Sequence, residues 1–114
     1  MKTSHTIDRV KRKALIFAAL GDATRLSLLV KLCGGMALSI TQLAEDSKLT
    51  RQAITKHLQV LQNVGVVRGA MAGRERLFKL SPEPLIQAKD YLDHVSAQWD
   101  DALARLKAHV ERPA

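Results

Sequence analysis

Apolar residues in the first half of the chain recur every three or four positions, which is typical of helices with one face on a core. The spacing predicts one helix over 7–20 and a second over 23–33, with Asp22 as the N-cap of the second. Gly34 and Gly35 end the second helix, because glycine adopts the left-handed C-cap conformation easily. The residues expected on the core face of this helix are Leu26, Leu29, Val30 and Cys33.

A capping box marks the start of the next helix. Ser39 caps this helix with its side chain, and Gln42 reaches back to the Ser39 backbone, which predicts a short helix over 40–46. After a short turn, Thr50 caps a fourth helix over 51–63. The predicted inner face of the fourth helix consists of Ile54, His57, Leu58 and Leu61.

The hydrophobic period changes after the fourth helix. Residues 66–71 and 75–80 predict two short strands joined at 72–74. A last helix is expected from Pro82, which is tolerated in a first turn, to about residue 109. Its apolar a/d seam runs over about three heptads, on Leu85, Ala88, Leu92, Val95, Trp99, Ala102 and Leu106.

These elements together predict the fold class. Two short helices joined by a tight turn make a helix-turn-helix, and a hairpin directly after them makes a winged helix. The expected fold is mainly α with a small β-hairpin, containing about five helices and a two-stranded wing. The seam on the last helix has little left to cover it within one chain, so we also expect a symmetric dimer.

The fourth helix carries five hydrogen-bonding side chains along one stripe, opposite its apolar face. They are Arg51, Gln52, Thr55, Lys56 and Gln59. None of them is acidic, whereas an ordinary solvated helix face mixes both signs of charge. A recognition helix needs side chains that reach base edges and no carboxylate facing the phosphates, so the stripe predicts DNA binding.

The predicted wing and the distribution of charge favour the same partner. The hairpin adds basic residues, of which Arg74 at the tip suits the minor groove or the phosphates. The alternative for the wing is a hairpin that only improves solubility. Residues 1–80 contain 14 Lys and Arg against five Asp and Glu, whereas residues 81–114 contain four against six. The net charge of +7 is therefore concentrated in one block, which indicates a polyanionic partner for that block.

Composition excludes several other classes of protein. A chain of 114 residues with 46% hydrophobic residues fits a single folded domain. Its longest apolar run, over 14–20, is far shorter than the roughly 18 residues that cross a bilayer. We expect no signal peptide and no membrane partner, and the lone Cys33 suits a reducing cytoplasm. No phosphate loop, nucleophile motif or metal-ligand cluster is present, so neither an enzyme nor a cofactor is expected.

Four segments resemble the ArsR family of bacterial repressors. They lie at 17–26 (FAALGDATRL), 42–44 (QLA), 49–61 (LTRQAITKHLQVL) and 65–67 (GVV), and the third is quite specific. The likeness runs through nearly the whole chain, from the first helix to the last. It implies a winged-helix homodimer that pairs through its first and last helices. It also implies a repressor that binds a near-palindromic operator and leaves when a signal arrives.

The motif and the resemblance together predict the domain boundaries, the residues that contact DNA and the residues of the dimer interface. One domain spans 1–114, with a DNA-binding core at about 22–80 and dimerisation helices at about 7–20 and 83–109. DNA contact is expected from Thr41, Gln42, Thr50, Arg51, Gln52, Thr55, Lys56, Gln59, Arg68, Arg74 and Arg76. The dimer interface is expected to contain Ile7, Val10, Ala14, Leu85, Leu92, Val95, Trp99 and Leu106. The expected partners are a double-stranded operator, a second copy of the chain and an unidentified small-molecule inducer.

The resemblance raises the question of metal sensing. The residues of this chain at the family's metal sites do not favour it. One family site is a Cys-x-Cys, and its two positions fall on Ser39 and Thr41, whose hydroxyls are poor ligands for soft metals. Another uses Asp-x-His and His-x-x-His on the last helix, where this chain has neither. Asp90 and His94 are four residues apart, and we interpret them as a solvated helical pair rather than half a site across a dimer.

Two alternatives stay open at this point. One is a winged helix that binds a protein instead of DNA, for which an exposed aromatic or methionine cluster would be expected on the fourth helix. The other is a thiol-responsive repressor acting through Cys33. Because Cys33 is alone on an apolar helical face, we interpret it as a small core residue. Repression itself rests on the resemblance, and activation stays open as well.

Overall fold

A computed structural model describes the backbone of residues 2–111 and the side chains of residues 8–111. The helices are α1 (Lys2–Leu20), α2 (Ala23–Leu32), α3 (Ile40–Ala44), α4 (Arg51–Asn63) and α5 (Pro82–Glu111). The strands are β1 (Leu38–Ser39), β2 (Val67–Ala72) and β3 (Glu75–Leu80). All five predicted helices and both predicted wing strands are present, so the winged helix-turn-helix is confirmed. Over the described residues, no helix combines the length and the apolar character that a membrane span requires.

Side-chain caps fix where three of the helices begin. The carboxylate of Asp22 accepts a backbone N–H bond at 3.0 Å at the start of α2, and the Thr50 hydroxyl accepts one at 3.1 Å at the start of α4. Ser39 and Gln42 form both bonds of the predicted capping box at the start of α3. Each cap satisfies backbone donors that the first helical turn leaves without a partner.

The wing belongs to a three-stranded antiparallel sheet with the strand order β1-β3-β2. β2 and β3 pair as far as Ala72 opposite Glu75, which leaves a turn of two residues. Gly73 begins this turn with φ 66°, a left-handed value that glycine supplies at the first position of a type II′ hairpin. The sequence did not predict β1, whose Leu38 pairs with Phe78 of β3.

The core lies between α2, α4 and the sheet, and it is closed by parts of α1 and α5. The largest fully buried side chains are Leu32, Leu43, Ile54, Leu58, Leu61 and Val66. Phe78 of β3 is also buried, and Ile16, Ala19 and Ala88 bring α1 and α5 into the same cluster. The apolar face predicted for α4 is confirmed, except that His57 is only half-buried.

The core face predicted for α2 is wrong for three of its four residues. Leu29 is buried as expected, but Leu26, Val30 and Cys33 are exposed, Val30 by 70%. The other buried residues of α2 are Leu28 and Leu32. Apolar residues occupy six of the eight positions from 26 to 33, so two faces satisfy the helical period and the sequence does not distinguish them. Cys33 is therefore not a core residue of this chain.

α5 packs on its own chain along its first half only. Ala88 is buried, Leu85 is half-buried against the core, and Val95 is half-buried. Every residue from 96 to 111 is exposed, including Trp99 at 64%. Because a 30-residue helix is about 45 Å long, the second half projects away from the core. The first part of the apolar seam thus packs on the chain's own core, and the part beyond residue 95 is exposed.

Candidate nucleic-acid interface

A lysine that sequence reasoning missed joins α2 to the first helix of the helix-turn-helix. Lys31 on α2 donates from Nζ to the carbonyl of Leu43 at 2.9 Å and to that of Glu45 at 3.1 Å. These carbonyls lie at the end of α3, where the helix leaves acceptors unpaired. α3 ends at Ala44, two residues before the predicted end, and Asp46 then has φ 60° in the turn to α4.

The polar face of α4 is exposed along its whole length. Arg51, Gln52, Thr55, Lys56 and Gln59 are all exposed, and none of the thirteen residues of α4 is acidic. The opposite face is buried in the core through Ile54, Leu58 and Leu61. Packing therefore fixes which way the helix faces, and it presents the five polar side chains together to solvent.

Several of these side chains are already oriented by local hydrogen bonds. Arg51 donates through Nη2 to the Thr41 hydroxyl, which joins α4 to the start of α3. The Thr55 hydroxyl donates to the Arg51 carbonyl at 2.8 Å, and the Gln59 amide donates to Asn63 at 2.9 Å. Bonds of this kind reduce the number of rotamers that an ordered complex must select from.

Other predicted contacts double as helix caps. Gln42 uses its amide oxygen as an acceptor in the capping box, so its NH2 group is the part able to donate to a phosphate. Thr50 accepts a backbone bond through its hydroxyl oxygen and keeps the hydroxyl proton for donation. Thr41, Gln42 and Thr50 are all exposed.

A cleft between the helix-turn-helix and the wing gathers three of the predicted arginines. Its volume is about 210 Å³, and Arg51 of α4 lines it together with Arg74 and Arg76 of the wing. Glu75 is the acidic residue in the lining. Three arginines against one carboxylate give this cleft an excess of positive charge, which favours phosphate.

Arg76 is also packed against the protein. Its guanidinium carbon lies 5.5 Å from the centre of the Phe78 ring. A Cβ placed on Gly69 would lie 2.8 Å from Nε of Arg76 and 3.0 Å from Nε2 of Gln62. Gly69 thus leaves the space in which Arg76 lies between the wing and the end of α4. No local sequence signal marks this role of Gly69, because the role depends on strand register.

Arg68 does not line the cleft that contains Arg51, Arg74 and Arg76. In the register of the hairpin, Arg68 lies opposite Lys79, and Arg76 lies opposite Met71. Successive residues of a strand point to opposite faces, so Arg68 and Arg76 are on different faces of the wing. Arg68 lines a separate cleft of about 340 Å³ with Lys79 and Glu83, at the start of α5.

His57 joins α4 to the start of α2. Its Nδ1 lies 3.8 Å from Oδ2 of Asp22. The pKa of Asp22 is held below its ordinary value, chiefly by the backbone N–H of Arg25 and also by the charges of Arg25 and His57, although partial burial opposes the shift. Arg25 in turn donates to the carbonyls of Ala18 and Ala19 at the end of α1. The sequence predicted Asp22 as a cap but not this connection between α1, α2 and α4.

The residues predicted for the dimer interface fall into two groups. Val10, Ala14, Leu92, Trp99 and Leu106 are exposed. Leu85 and Val95 are half-buried, and Leu85 packs partly on the chain's own core. The side chain of Ile7 lies outside the described residues.

Metal-ligating residues are dispersed. Within residues 8–111, no group of three or more His, Cys, Asp or Glu side chains is placed to hold an ion. Ser39, at a position where the family has a thiolate ligand, is buried and is occupied as the cap of α3. Asp90 and His94 line an open cleft of about 460 Å³ between α1 and α5, together with Lys13 and Tyr91.

Comparison with known proteins identifies relatives of this chain. The family model described as bacterial regulatory protein, arsR family, matches residues 22–68, which include α2, the helix-turn-helix and the start of the wing. The chain is 34% identical over 85 residues to the HTH-type transcriptional regulator Rv2034 of Mycobacterium tuberculosis, covering 75% of this chain and 76% of that one. The chain belongs to the ArsR family. The resemblance seen in the sequence is thereby confirmed.

Two further relatives extend the match. The chain is 39% identical over 79 residues to the HTH-type transcriptional regulator YuzN of Bacillus subtilis, covering 64% of this chain and 86% of YuzN. The solved structure of an ArsR-like transcriptional regulator from Rhodococcus sp. RHA1 superposes with a TM-score of 0.75 at 33% identity, over 94% of this chain and 99% of that one. As a member of the ArsR family, the protein is a transcriptional regulator and not an enzyme.

Proposed function

We propose that this ArsR-family protein is a homodimeric repressor that reads a near-palindromic operator with α4 in the major groove. The observation that carries the proposal is the polar face of α4, which is fully exposed, contains no acidic residue and adjoins the cleft of Arg51, Arg74 and Arg76. A face of this kind suits both base edges and phosphates.

The side chains take different roles in this proposal. Arg51, Gln52, Thr55 and Lys56 contact base edges and nearby phosphates, and Gln59 extends the same stripe. Thr41, Gln42 and Thr50 donate to the phosphate backbone from the two helix starts. Arg74 and Arg76 anchor the wing beside them. Arg68, on the other face of the wing, contributes to phosphate binding from the wing base.

The homodimer is supported by the apolar surface that one chain leaves uncovered. Val10 is 47% exposed on α1, and Leu92 and Trp99 are 52% and 64% exposed on α5. An apolar stripe of this extent on a small protein usually marks an interface. Two-fold symmetry then places two α4 helices on half-sites about 10–10.5 bp apart, or a multiple of that spacing.

The signal that releases the repressor is proposed to be a small molecule and not a metal ion. Hydroxyls stand at both positions of the Cys-x-Cys site, and the His-x-x-His spacing is missing from α5. The cleft of about 460 Å³ between α1 and α5 is a candidate site for such an inducer, because it lies beside the helices proposed to pair.

A binding titration tests the proposal. The purified protein is titrated against the DNA immediately upstream of its own gene and against a scrambled duplex, across a series of salt concentrations. We expect tight binding to the upstream DNA only, with a steep negative dependence on salt. Weak binding that is equal on both duplexes would contradict sequence-specific regulation and would favour a winged helix that binds a protein.

A further inference from the structure

The exposed side of α2 carries an apolar face that neither the core nor the DNA interface uses. Leu26, Val30 and Cys33 form this α2 apolar face, which repeats at intervals of four and three residues. Leu26 is 47% exposed and Val30 is 70% exposed. A solvated face of a ten-residue helix would ordinarily be polar at these positions, so the face indicates a contact outside the chain.

The start of α2 lies against the end of α1, which also carries exposed apolar side chains. Arg25, next to Leu26, donates to the carbonyl of Ala18, so the end of α1 and the start of α2 are in contact. Ala18, Ala14 and Val10 are spaced by four residues on the exposed side of α1. Exposed apolar side chains are therefore present on both of these adjoining helices.

The second half of α5 has the exposure, the apolar residues and the length needed to bury an α2 apolar face. Residues 96–111 are all exposed, and they carry Trp99, Leu103, Leu106 and Val110 at alternating intervals of four and three. These sixteen residues span about 24 Å, whereas Leu26 to Cys33 spans about 10 Å. Because α5 packs on α1 within its own chain and then projects from the core, its second half is free to reach another copy.

Charge complementarity favours a second copy over an unrelated protein. The basic residues beside the outer face of α1 are Arg9, Lys11, Arg12 and Lys13. The acidic residues of α5 between Asp90 and Asp101 are Asp90, Asp93, Asp100 and Asp101. Asp93 pairs with Lys89, and Asp90 lines a cleft with Lys13 of its own chain. Asp100 and Asp101, on the exposed half of α5, are therefore the carboxylates that can attract the basic α1 of a second copy.

We infer that the second half of α5 from one chain covers the α2 apolar face of its partner, which places Cys33 inside the dimer interface. The inference rests on the homodimer of the proposed function and deepens it. It adds α2 to an interface otherwise made by α1 and α5. It also gives the exposed cysteine an environment, since the thiol is covered only when two chains are paired.

The main test measures dimer dissociation by sedimentation over a range of protein concentrations. The variant is Leu26→Gln with Val30→Gln, which removes the apolar face at solvent-exposed positions and keeps good helix formers. Met71→Gln is the matched control, because Met71 is an apolar residue 65% exposed in the wing. We expect the dissociation constant to rise at least about tenfold for the double variant, because burial of two aliphatic side chains in each chain is lost. The control leaves it unchanged.

A second measurement follows the native thiol in the unaltered protein. Cys33 is alkylated at concentrations above and below the dimer dissociation constant, and the expected rate is at least tenfold lower in the dimer. A dimer with an unchanged dissociation constant in the double variant and equal alkylation rates would overturn this inference and leave the homodimer intact. A wild-type chain that stays monomeric at all concentrations would contradict both this inference and the proposed homodimer.

Discussion

Nζ of Lys31 lies 2.9 Å from the carbonyl oxygen of Leu43, and this contact ties α2 to the end of α3. We predict that Lys31→Met lowers the free energy of unfolding by about 1 kcal/mol, because the α3 carbonyls lose a charged donor. DNA affinity should fall as well, since α3 supports the recognition helix. Urea unfolding and a DNA titration measure the two effects.

The control for this variant is Lys89→Met. Lys89 is an exposed lysine of α5 whose contact with Asp93 spans 3.4 Å on the surface. Exposed pairs of this kind contribute little, so the control should change stability by less than about 0.5 kcal/mol. Equal losses in the two variants would show that Lys31 is an ordinary surface lysine.

Base recognition and phosphate binding should separate by mutation. Arg51→Ala and Gln52→Ala should relax the preference for particular bases, at a cost of about 1–3 kcal/mol on the preferred operator. Arg74→Ala should weaken all sequences alike and reduce the salt dependence by about one ion. Titration against an operator library at two salt concentrations distinguishes the two patterns. If all three variants lost affinity uniformly, α4 would not be the recognition helix.

Gly69 and Arg76 should behave as one unit in DNA binding. A Cβ at residue 69 lies 2.8 Å from Nε of Arg76, so Gly69→Ala displaces that flexible side chain without rearranging the strand. We expect Gly69→Ala and Arg76→Ala each to weaken operator binding, and the double variant to lose less than the sum. Fluorescence anisotropy with labelled operator measures the affinity of the wild type and of the three variants, which form a double-mutant cycle. Strict additivity of the two losses would show that Gly69 does not position Arg76.

Acidification should reveal the charge of Asp22. Its pKa is lowered in the folded chain, mainly by the backbone N–H of Arg25, so it stabilises the fold above the ordinary pKa of a free aspartate. This contribution is lost as the pH falls through the lowered pKa. Asp22→Asn keeps a good N-cap but carries no charge. Unfolding curves from pH 7 down to pH 3 should therefore be flatter for the variant, and parallel curves would exclude a role for the charge.

Metal ions should leave operator binding unchanged. Stoichiometric Zn²⁺ or Ni²⁺ added to the complex should not alter the affinity, because Ser39 and Thr41 stand where thiolate ligands would be needed. His94→Ala serves as the comparison if one metal does act, since it removes the histidine four residues after Asp90 on α5. Release or tightening by one metal that His94→Ala abolishes would assign metal sensing to α5.

Local signals predicted the helix-turn-helix well, and non-local contacts account for the differences. The caps at Asp22, Ser39 and Thr50 depend on neighbouring residues only, so they could be identified in the sequence. β1 has two residues and exists because it pairs with β3, nearly forty residues later. The roles of Lys31 and Gly69 likewise depend on elements that folding brings together.

The two faces of α2 show a different limit. Leu26, Val30 and Cys33 satisfy the same helical spacing as the residues that are buried, and no local rule ranks one face above the other. Docking of α2 against α4 and β3 makes the choice. The spacing of the α5 seam likewise does not distinguish contact with a partner from contact with the chain's own core. The sequence therefore predicted a partner for the whole seam, although Leu85 packs on its own core.

The junction between the wing and α5 consists of one residue. β3 ends at Leu80 and α5 begins at Pro82, while buried Ser81 between them donates its N–H to the carbonyl of Val66 at 2.9 Å. No loop separates the two elements, so the start of the 30-residue helix is held directly at the base of the wing. If the wing contacts DNA as proposed, a ligand that tilted α5 would act on the wing arginines through this single residue.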